Sequence, residues 1–355
     1  MSVPGGQPQA GVRLADLTTL RLGGPAAATV RVDTGPELVD VVRDLDARGE
    51  QLLLVGGGSN LVVADEGFPG TVVLVRNRGV ASVGAGAGEV DLTVSAGEPW
   101  DDVVLASVQD GFGQLAALSG IPGLAGATPI QNVGAYGQEV ASVVRSVRVL
   151  DRSTGAVEDL GPAQCGFGYR DSAFKRDRRH VVLAVTLRLR RAARTPVTYA
   201  ELARSLGVPV GAEAPASAVR EAVLDLRRSK AMVIEPVPSG RLPDPDTVSA
   251  GSFFTNPVLA AAAAGALPAD APRFPAGEGH LKVSAAWLIE GAGFGRGYGH
   301  GAARISGRHA LALTNRGGAS TAELLALAGE IVAGVRDRYG VTLVPEPVLV
   351  GCSLP

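Results

Sequence analysis

The chain has only two cysteines, Cys165 and Cys352, in 355 residues, too few for a disulfide framework or a four-cysteine metal centre. Two unpaired thiols fit a reducing compartment. Histidine is equally sparse: His180, His280, His300 and His309 show no HxxxH or HxH spacing, so no metal site is expected. Aromatic residues are few, with two Trp, five Tyr and eight Phe, which leaves the interior to small and branched side chains. The 33 Lys and Arg nearly cancel 35 Asp and Glu, and a net charge of -2 supplies no global field for nucleic acid or an anionic membrane. Any phosphate recognition must therefore be local. The longest apolar stretch, 258–267, is too short to span a bilayer, and the N-terminus lacks the basic and apolar regions of an export signal. A soluble, cytoplasmic chain without membrane insertion is the expectation. Neither GxGxxG nor a Walker A sequence occurs, so the usual dinucleotide and P-loop fingerprints are missing.

What is present is enough chain for two or three subdomains of mixed α/β character. Residues 1–11 are polar and rich in glycine and proline and read as a tail. A strand at 28–32 leads through Thr34-Gly35-Pro36, a cap followed by proline, into a helix with Leu38, Val41, Val42 and Leu45 on one face. The strand 52–55 runs into Gly56-Gly57-Gly58-Ser59-Asn60, and 61–63 and 71–75 are extended again. Beyond residue 80 come shorter strands, a helix starting near Trp100, and a long glycine-rich loop between Ser119 and Gly137. Val181, Leu183, Val185, Leu187 and Leu189 alternate with polar residues as a strand with one buried face does. A helix around Val219, Val223 and Leu226 ends near Lys230, and the four prolines of 236–246 read as a connection. A capping box, Ser320 to Glu323, opens the last helix and Gly340 closes it. There is no internal repeat.

Gly56 to Asn60 follows an apolar strand, where missing side chains let backbone N–H groups approach a phosphate; alone, it reads more readily as an ordinary glycine turn. The second glycine-rich region, 119–137, mixes tight turns with amides and hydroxyls, and one ligand held by both loops explains their co-occurrence better than two surface excursions. Arg170, between Tyr169 and Asp171, is a natural polariser for an oxyanion or a carboxylate, or half of a surface ion pair. Ser252, among small and aromatic residues, suits proton donation from a dry pocket, or a turn. Glu346 stands between Pro345 and Pro347 as a lone acid in the apolar run 341–350, where it needs a partner or a task unless it faces water from an edge strand. The glycine-rich run 293–301 lacks a strong preceding strand and reads as a turn.

In order, VGGGSNLVV, SGIPGLAGATPIQNVGAYG, CGFGYRDSAFK, SAGSFFTNP and PEPVLVG resemble the UDP-N-acetylenolpyruvoylglucosamine reductase (MurB) family, over a span from about Leu17 to Gly351. The resemblance implies an α+β fold with an FAD-binding module of the vanillyl-alcohol-oxidase (PCMH) type in two subdomains and a smaller α+β substrate-binding domain. The expected parts are a mobile tail 1–13, a first FAD-binding subdomain 14–78 completed by 343–355, a second at 79–230, and a substrate domain 231–342. It also implies noncovalent FAD, NADPH as hydride donor, and reduction of UDP-N-acetylglucosamine enolpyruvate to UDP-N-acetylmuramate. That reaction belongs to peptidoglycan precursor synthesis, and so to cell wall biogenesis, cell shape and cell division. A monomer without a nucleic-acid partner is expected.

Carried over by motif, Arg170 and Glu346 would polarise the substrate carboxylate and stabilise the enolate-like intermediate, and Ser252 would protonate C2 after hydride reaches C3. Gly56, Gly57, Gly58, Ser59, Asn60, Thr128, Gln131, Asn132, Gly134, Ala135 and Gly137 would bind FAD. Tyr169, Tyr199, Arg227, Lys230 and Asn256 would bind the substrate, with Tyr199 on the loop that closes over UDP in the longer, type I members. Two other readings stay open on the residues: a flavin oxidase on the same scaffold, disfavoured in its tethered form because 56–70 holds no His or Cys, and a noncatalytic sugar-nucleotide-binding regulator.

Overall fold

Thr34 accepts a hydrogen bond from the Glu37 N–H (3.2 Å) while the Glu37 carboxylate accepts one from the Thr34 N–H (3.1 Å), so the helix Gly35–Ala47 starts where its capping residues dictate. Its apolar face, Leu38, Val41, Val42 and Leu45, is buried against Val30, Val32 and Val73. Those last three lie on a three-stranded sheet with the order Ala26–Val32, Phe68–Val75, Leu52–Val55, in which the last two strands run parallel. The computed structural model describes residues 9–235 and 243–355. It divides into two compact units: residues up to 12 with 26–57 and 69–234, and residues 13–25, 58–68 and 235–355.

The first unit also holds a five-stranded antiparallel sheet, running edge to edge Val157–Leu160, Val144–Asp151, His180–Arg190, Glu89–Ser95, Val80–Gly86. The alternation at 181–189 is the strand it predicts, and Val185, Leu187 and Leu189 are buried with Trp100, Leu115, Leu118 and Val147. A smaller apolar cluster, Val197, Leu202, Val219 and Val223, joins the helices Ala200–Leu206 and Ala216–Ser229. The long loop is far from structureless. It contains a 3₁₀ turn, Ala125–Ala127, and a small hairpin, Gly134–Ala135 with Gln138–Glu139. The hairpin's two turn residues, Tyr136 (φ 49°) and Gly137 (φ 84°), are both left-handed, as a two-residue turn of the primed type requires.

In the second unit the helix Thr321–Tyr339 buries Leu324, Ile331 and Val335 against Phe253, Phe254, Leu288 and Ile289. The strand Val348–Val350 lies parallel to Leu61–Val63. The borders differ from those expected, because residues 14–25 and 58–68 belong to this unit rather than with 26–57. The tail is shorter too: the Gln9 and Thr29 backbones pair, and the Ala26 N–H bonds the Val12 carbonyl at 2.9 Å. Residues 1–8 of the tail, and 236–242 of the proline-rich connection, lie outside the described residues.

The C-terminal helix starts on a capping box in which Ser320 Oγ accepts from the Glu323 N–H at 3.1 Å, and it ends at Gly340 with φ 68°. Ser320→Ala should lower unfolding stability by about 1 kcal/mol, read as a shift in the urea midpoint with an unchanged slope.

Candidate active site

The first glycine loop and the second meet backbone to backbone. A β-carbon on Gly57 would lie 2.7 Å from the Gly123 Cα, and one on Gly56 would press on the Leu124 side chain at 3.4 Å, so only glycine at 57 permits this approach. The second loop is stitched down along its length. The Gly123 carbonyl accepts from the Trp100 N–H (3.1 Å), the Ala125 N–H donates to Glu98 (2.8 Å), and the Gly126 N–H donates to Ala96 (2.9 Å). Upstream, the Gly120 N–H donates to Asp101 Oδ1 at 2.6 Å, and Arg220 clamps both Asp101 oxygens at 2.6 and 2.7 Å. Gly58, Ser59 and Asn60 belong to the second unit, where Gly58 (φ 62°) packs its α-carbon against the Leu17 carbonyl too tightly for any side chain.

The remaining expected cofactor residues lie on the hairpin loop, and several are spent on holding it. Thr128, fully inside, donates its hydroxyl to the Ala125 carbonyl at 2.7 Å. Asn132 (φ 44°) is 1% exposed and held at both ends of its amide: Nδ2 donates to Glu139 (2.8 Å) and to the Gly168 carbonyl (2.9 Å), and Oδ1 accepts from the Ala141 N–H (3.1 Å). Both of its N–H donors are thus used in shaping the loop. Gln131, Gly134, Ala135 and Gly137 line the same loop, half-buried or exposed. Arg170 sits in the tight turn Gly168–Asp171 at φ 54°, a conformation that costs a non-glycine residue about 1 kcal/mol or more. Its guanidinium bonds the Gly134 carbonyl and stands 3.9 Å from Glu139. The same Glu139 thus orients both Asn132 and Arg170.

Beside this hairpin is a cluster that the sequence only half reveals. The ring of Tyr136 meets that of Tyr199 edge-on at 5.6 Å, and Lys230 lies 5.9 Å from Tyr136 while pairing with Glu201 at 2.7 Å. Tyr169 is near enough to Tyr199 to act on its ionisation, and burial pushes the Tyr199 phenol above its ordinary value. Burial pushes Tyr136 up to about 12, so both remain neutral hydrogen-bonding phenols at physiological pH. Arg227 is almost wholly buried and donates to the carbonyls of Gly120 (3.2 Å) and Met232 (2.9 Å). It ties the helix to the glycine loop. Tyr136 is the residue missed by motif reading; its only signal is its place between Ala135 and Gly137 at a hairpin tip.

In the second unit, Ser252 ends the strand Ser249–Ser252, whose bulge at Gly251 (φ 75°) turns the chain before the buried pair Phe253 and Phe254. The Phe253 carbonyl accepts from the Glu346 N–H at 2.8 Å, and the Glu346 carbonyl accepts from Asn60 Nδ2 at 3.3 Å. The Glu346 backbone is thereby joined to Phe253, the residue after Ser252, and to the Asn60 side chain. Glu346 is at a half-buried bend, and the strand begins only at Val348, so the edge-strand alternative does not hold. Asn256 instead accepts from the Ala285 N–H at 2.9 Å, which caps the helix Ala285–Gly291. The run 293–301 is a turn, with Phe294 in the core.

Cys165 is buried, which raises its thiol to about 11, and Cys352 is free and half-buried. Asp151, Glu158 and His180 gather their ligand atoms closely, but Arg179 and Ser153 already hold the Asp151 carboxylate. That arrangement is an ion pair.

Burial works to raise the Asp101 carboxyl, but the Arg220 hydrogen bonds, the Gly120 N–H and the charges of Arg220 and Arg227 outweigh it and hold it below its ordinary value. A depressed folded pKa stabilises above the unfolded value of about 4 and is lost as pH falls through the folded one. Asp101→Asn should cost roughly 1 kcal/mol at pH 7, discounted for partial exposure. Denaturant titrations should show the gap to the native chain closing below about pH 4.

Residues 26–161 match the FAD binding domain family, and residues 244–350 match the C-terminal domain of UDP-N-acetylenolpyruvoylglucosamine reductase. The UDP-N-acetylenolpyruvoylglucosamine reductase of Thermobifida fusca is 52% identical over 97% of this chain and 98% of its own length. That of Saccharopolyspora erythraea is 51% identical over 99% and 98%. The solved structure of the Thermus caldophilus enzyme (MurB) superposes with a TM-score of 0.64 at 25% identity, covering 97% of this chain and 100% of that one. With an α+β fold, an FAD-binding domain match and relatives of this similarity along its whole length, the chain belongs to the UDP-N-acetylenolpyruvoylglucosamine reductase family.

Proposed function

We propose that this chain reduces the enolpyruvyl group of UDP-N-acetylglucosamine enolpyruvate to give UDP-N-acetylmuramate, with Arg170, Ser252 and Glu346 as its reacting side chains. Family membership supports an FAD-dependent oxidoreductase of peptidoglycan precursor synthesis. The side-chain-free approach of Gly57 to Gly123 fits the cofactor, because a diphosphate needs backbone N–H groups unscreened by β-carbons. When bound, FAD would supply the hydride relay between NADPH and C3 of the enolpyruvyl ether. Gly56 to Asn60 and Gln131 to Gly137 would hold it noncovalently, with Thr128 and Asn132 shaping the loop.

Hydride arriving at C3 leaves negative charge toward C2 and the carboxylate. The Arg170 guanidinium, oriented by Gly134 and Glu139, would stabilise that charge. Ser252 would deliver the proton to C2. A hydroxyl is too weak an acid to do so unaided, so Glu346 would assist in its protonated or hydrogen-bonded form. The observation that supports these two assignments is the 2.8 Å bond from the Glu346 backbone N–H to the Phe253 carbonyl, which joins the backbone of Glu346 to that of the residue after Ser252. Tyr169, Tyr199, Arg227, Lys230 and Asn256 would serve the UDP-sugar, Tyr199 and Lys230 by contact and Arg227 and Asn256 by fixing the backbone around it.

The same reading takes the chain as a cytoplasmic monomer acting in cell wall growth, shape and division, with two cofactor subdomains and a substrate domain. No helix among the described residues is long and apolar enough to cross a membrane. Rapid mixing without oxygen separates the two half-reactions. Ser252→Ala should leave flavin reduction by NADPH within about twofold of native and slow reoxidation by the enolpyruvyl substrate roughly 10²–10⁴-fold. Equal loss in both halves would remove Ser252 from proton delivery.

A further inference from the structure

Arg76 follows the strand Phe68–Val75 and is half-buried beside the first glycine loop. One nitrogen, Nη1, donates to three backbone carbonyls: Val75 at 2.7 Å, Gly56 at 3.0 Å and, weakly, Val55 at 3.4 Å. Among the described residues no carboxylate pairs with it. Asp33, the acid whose charge reaches it, is bound by Arg31 Nε at 2.8 and 3.0 Å. Burial, with the neighbouring charges of Arg31 and Arg78, pushes the guanidinium below its ordinary value. A half-buried cation without an acid partner is costly unless something else uses it.

Its grip on Gly56 has a geometric consequence. In a planar trans peptide the C=O and the following N–H point in opposite directions. Holding the Gly56 carbonyl toward Arg76 therefore turns the Gly57 N–H away from it. That N–H makes no backbone hydrogen bond among the described residues, and the Gly57 α-carbon is pinned by Gly123. The orientation of one peptide group, otherwise free in a glycine pair, is fixed from both sides.

We propose that Arg76 is a positioning residue of the cofactor site, locking the Gly56–Gly57 peptide so that the Gly57 N–H is presented to the diphosphate of FAD. The proposal rests on the reading that this loop holds the cofactor. Its positive charge adds long-range attraction for the dianionic diphosphate but does not contact it.

The test is the affinity of the apoprotein for FAD, followed by flavin fluorescence, with the thermal midpoint of each apoprotein measured alongside. Arg76→Met should weaken FAD binding tenfold or more while moving the apoprotein midpoint by less than about 2 °C, which is about 1.5 kcal/mol or less for a chain of this size. Because one nitrogen makes every contact, Arg76→Lys should recover most of the affinity. Native affinity in Arg76→Met, or equal losses in the Met and Lys variants, overturns the proposal. Gly57→Ala separates the two claims: if it abolishes FAD binding while Arg76→Met does not, the loop reading stands and the role of Arg76 falls. If Gly57→Ala binds FAD as the native chain does, both fall. Hydrogen exchange on the native protein needs no variant to fold: FAD should protect the Gly57 amide, and an amide that exchanges equally fast with and without FAD overturns the proposal.

Discussion

The approach of Gly57 to Gly123 is the contact on which the proposed cofactor loop depends. Two stretches of backbone, one of them leaving a parallel strand, come closer than any side chain allows. Everything around that contact works to keep it. Asp101 and Arg220 hold Gly120, Trp100 holds Gly123, Glu98 holds Ala125, and Arg76 holds Gly56. A surface made of backbone N–H groups is only useful if those groups cannot rotate away, and the surrounding hydrogen bonds remove that freedom.

A second constraint organises Arg170. It occupies a left-handed position in a tight turn, where glycine would be easier, and its head is set by a carbonyl of the hairpin loop and by Glu139. Strain of this kind persists only where the surroundings over-determine it. Glu139 also fixes Asn132, so the loop and the guanidinium share one carboxylate. In the second unit the link from Phe253 to Glu346 does similar work, drawing the C-terminal segment against the strand that carries Ser252.

Much of this was legible in the residues. The caps at Thr34 and Ser320, the strand at 181–189, and glycine exits such as Gly340 follow from local rules and stand where those rules put them. That the two glycine loops belong together was also legible, because glycine reports where backbones must approach, and they meet at Gly57 and Gly123. The less legible features depend on partners distant in sequence. Nothing near Asn132, Arg227 or Asn256 signals that they bond Gly168, Gly120 and Ala285. Residues 14–25 and 58–68 read as part of the first subdomain because they adjoin it in sequence, whereas their apolar side chains Leu20, Leu22 and Val62 pack with Phe253 and Leu324. Arg76 lies outside the quoted motifs and Tyr136 inside one that gave it no part; their three-dimensional neighbours are what single them out.

Flavin-mediated reduction of the enolpyruvyl group by this chain is tested most directly by the visible absorbance of the native protein, reconstituted with FAD and kept free of oxygen, as NADPH and then UDP-N-acetylglucosamine enolpyruvate are added. The oxidised flavin band should bleach with the first addition and return with the second, with UDP-N-acetylmuramate formed in equal amount. A band that bleaches but does not return with the substrate would contradict it and point to another flavin reaction, and a protein that takes up no FAD would contradict the site as well as the reaction.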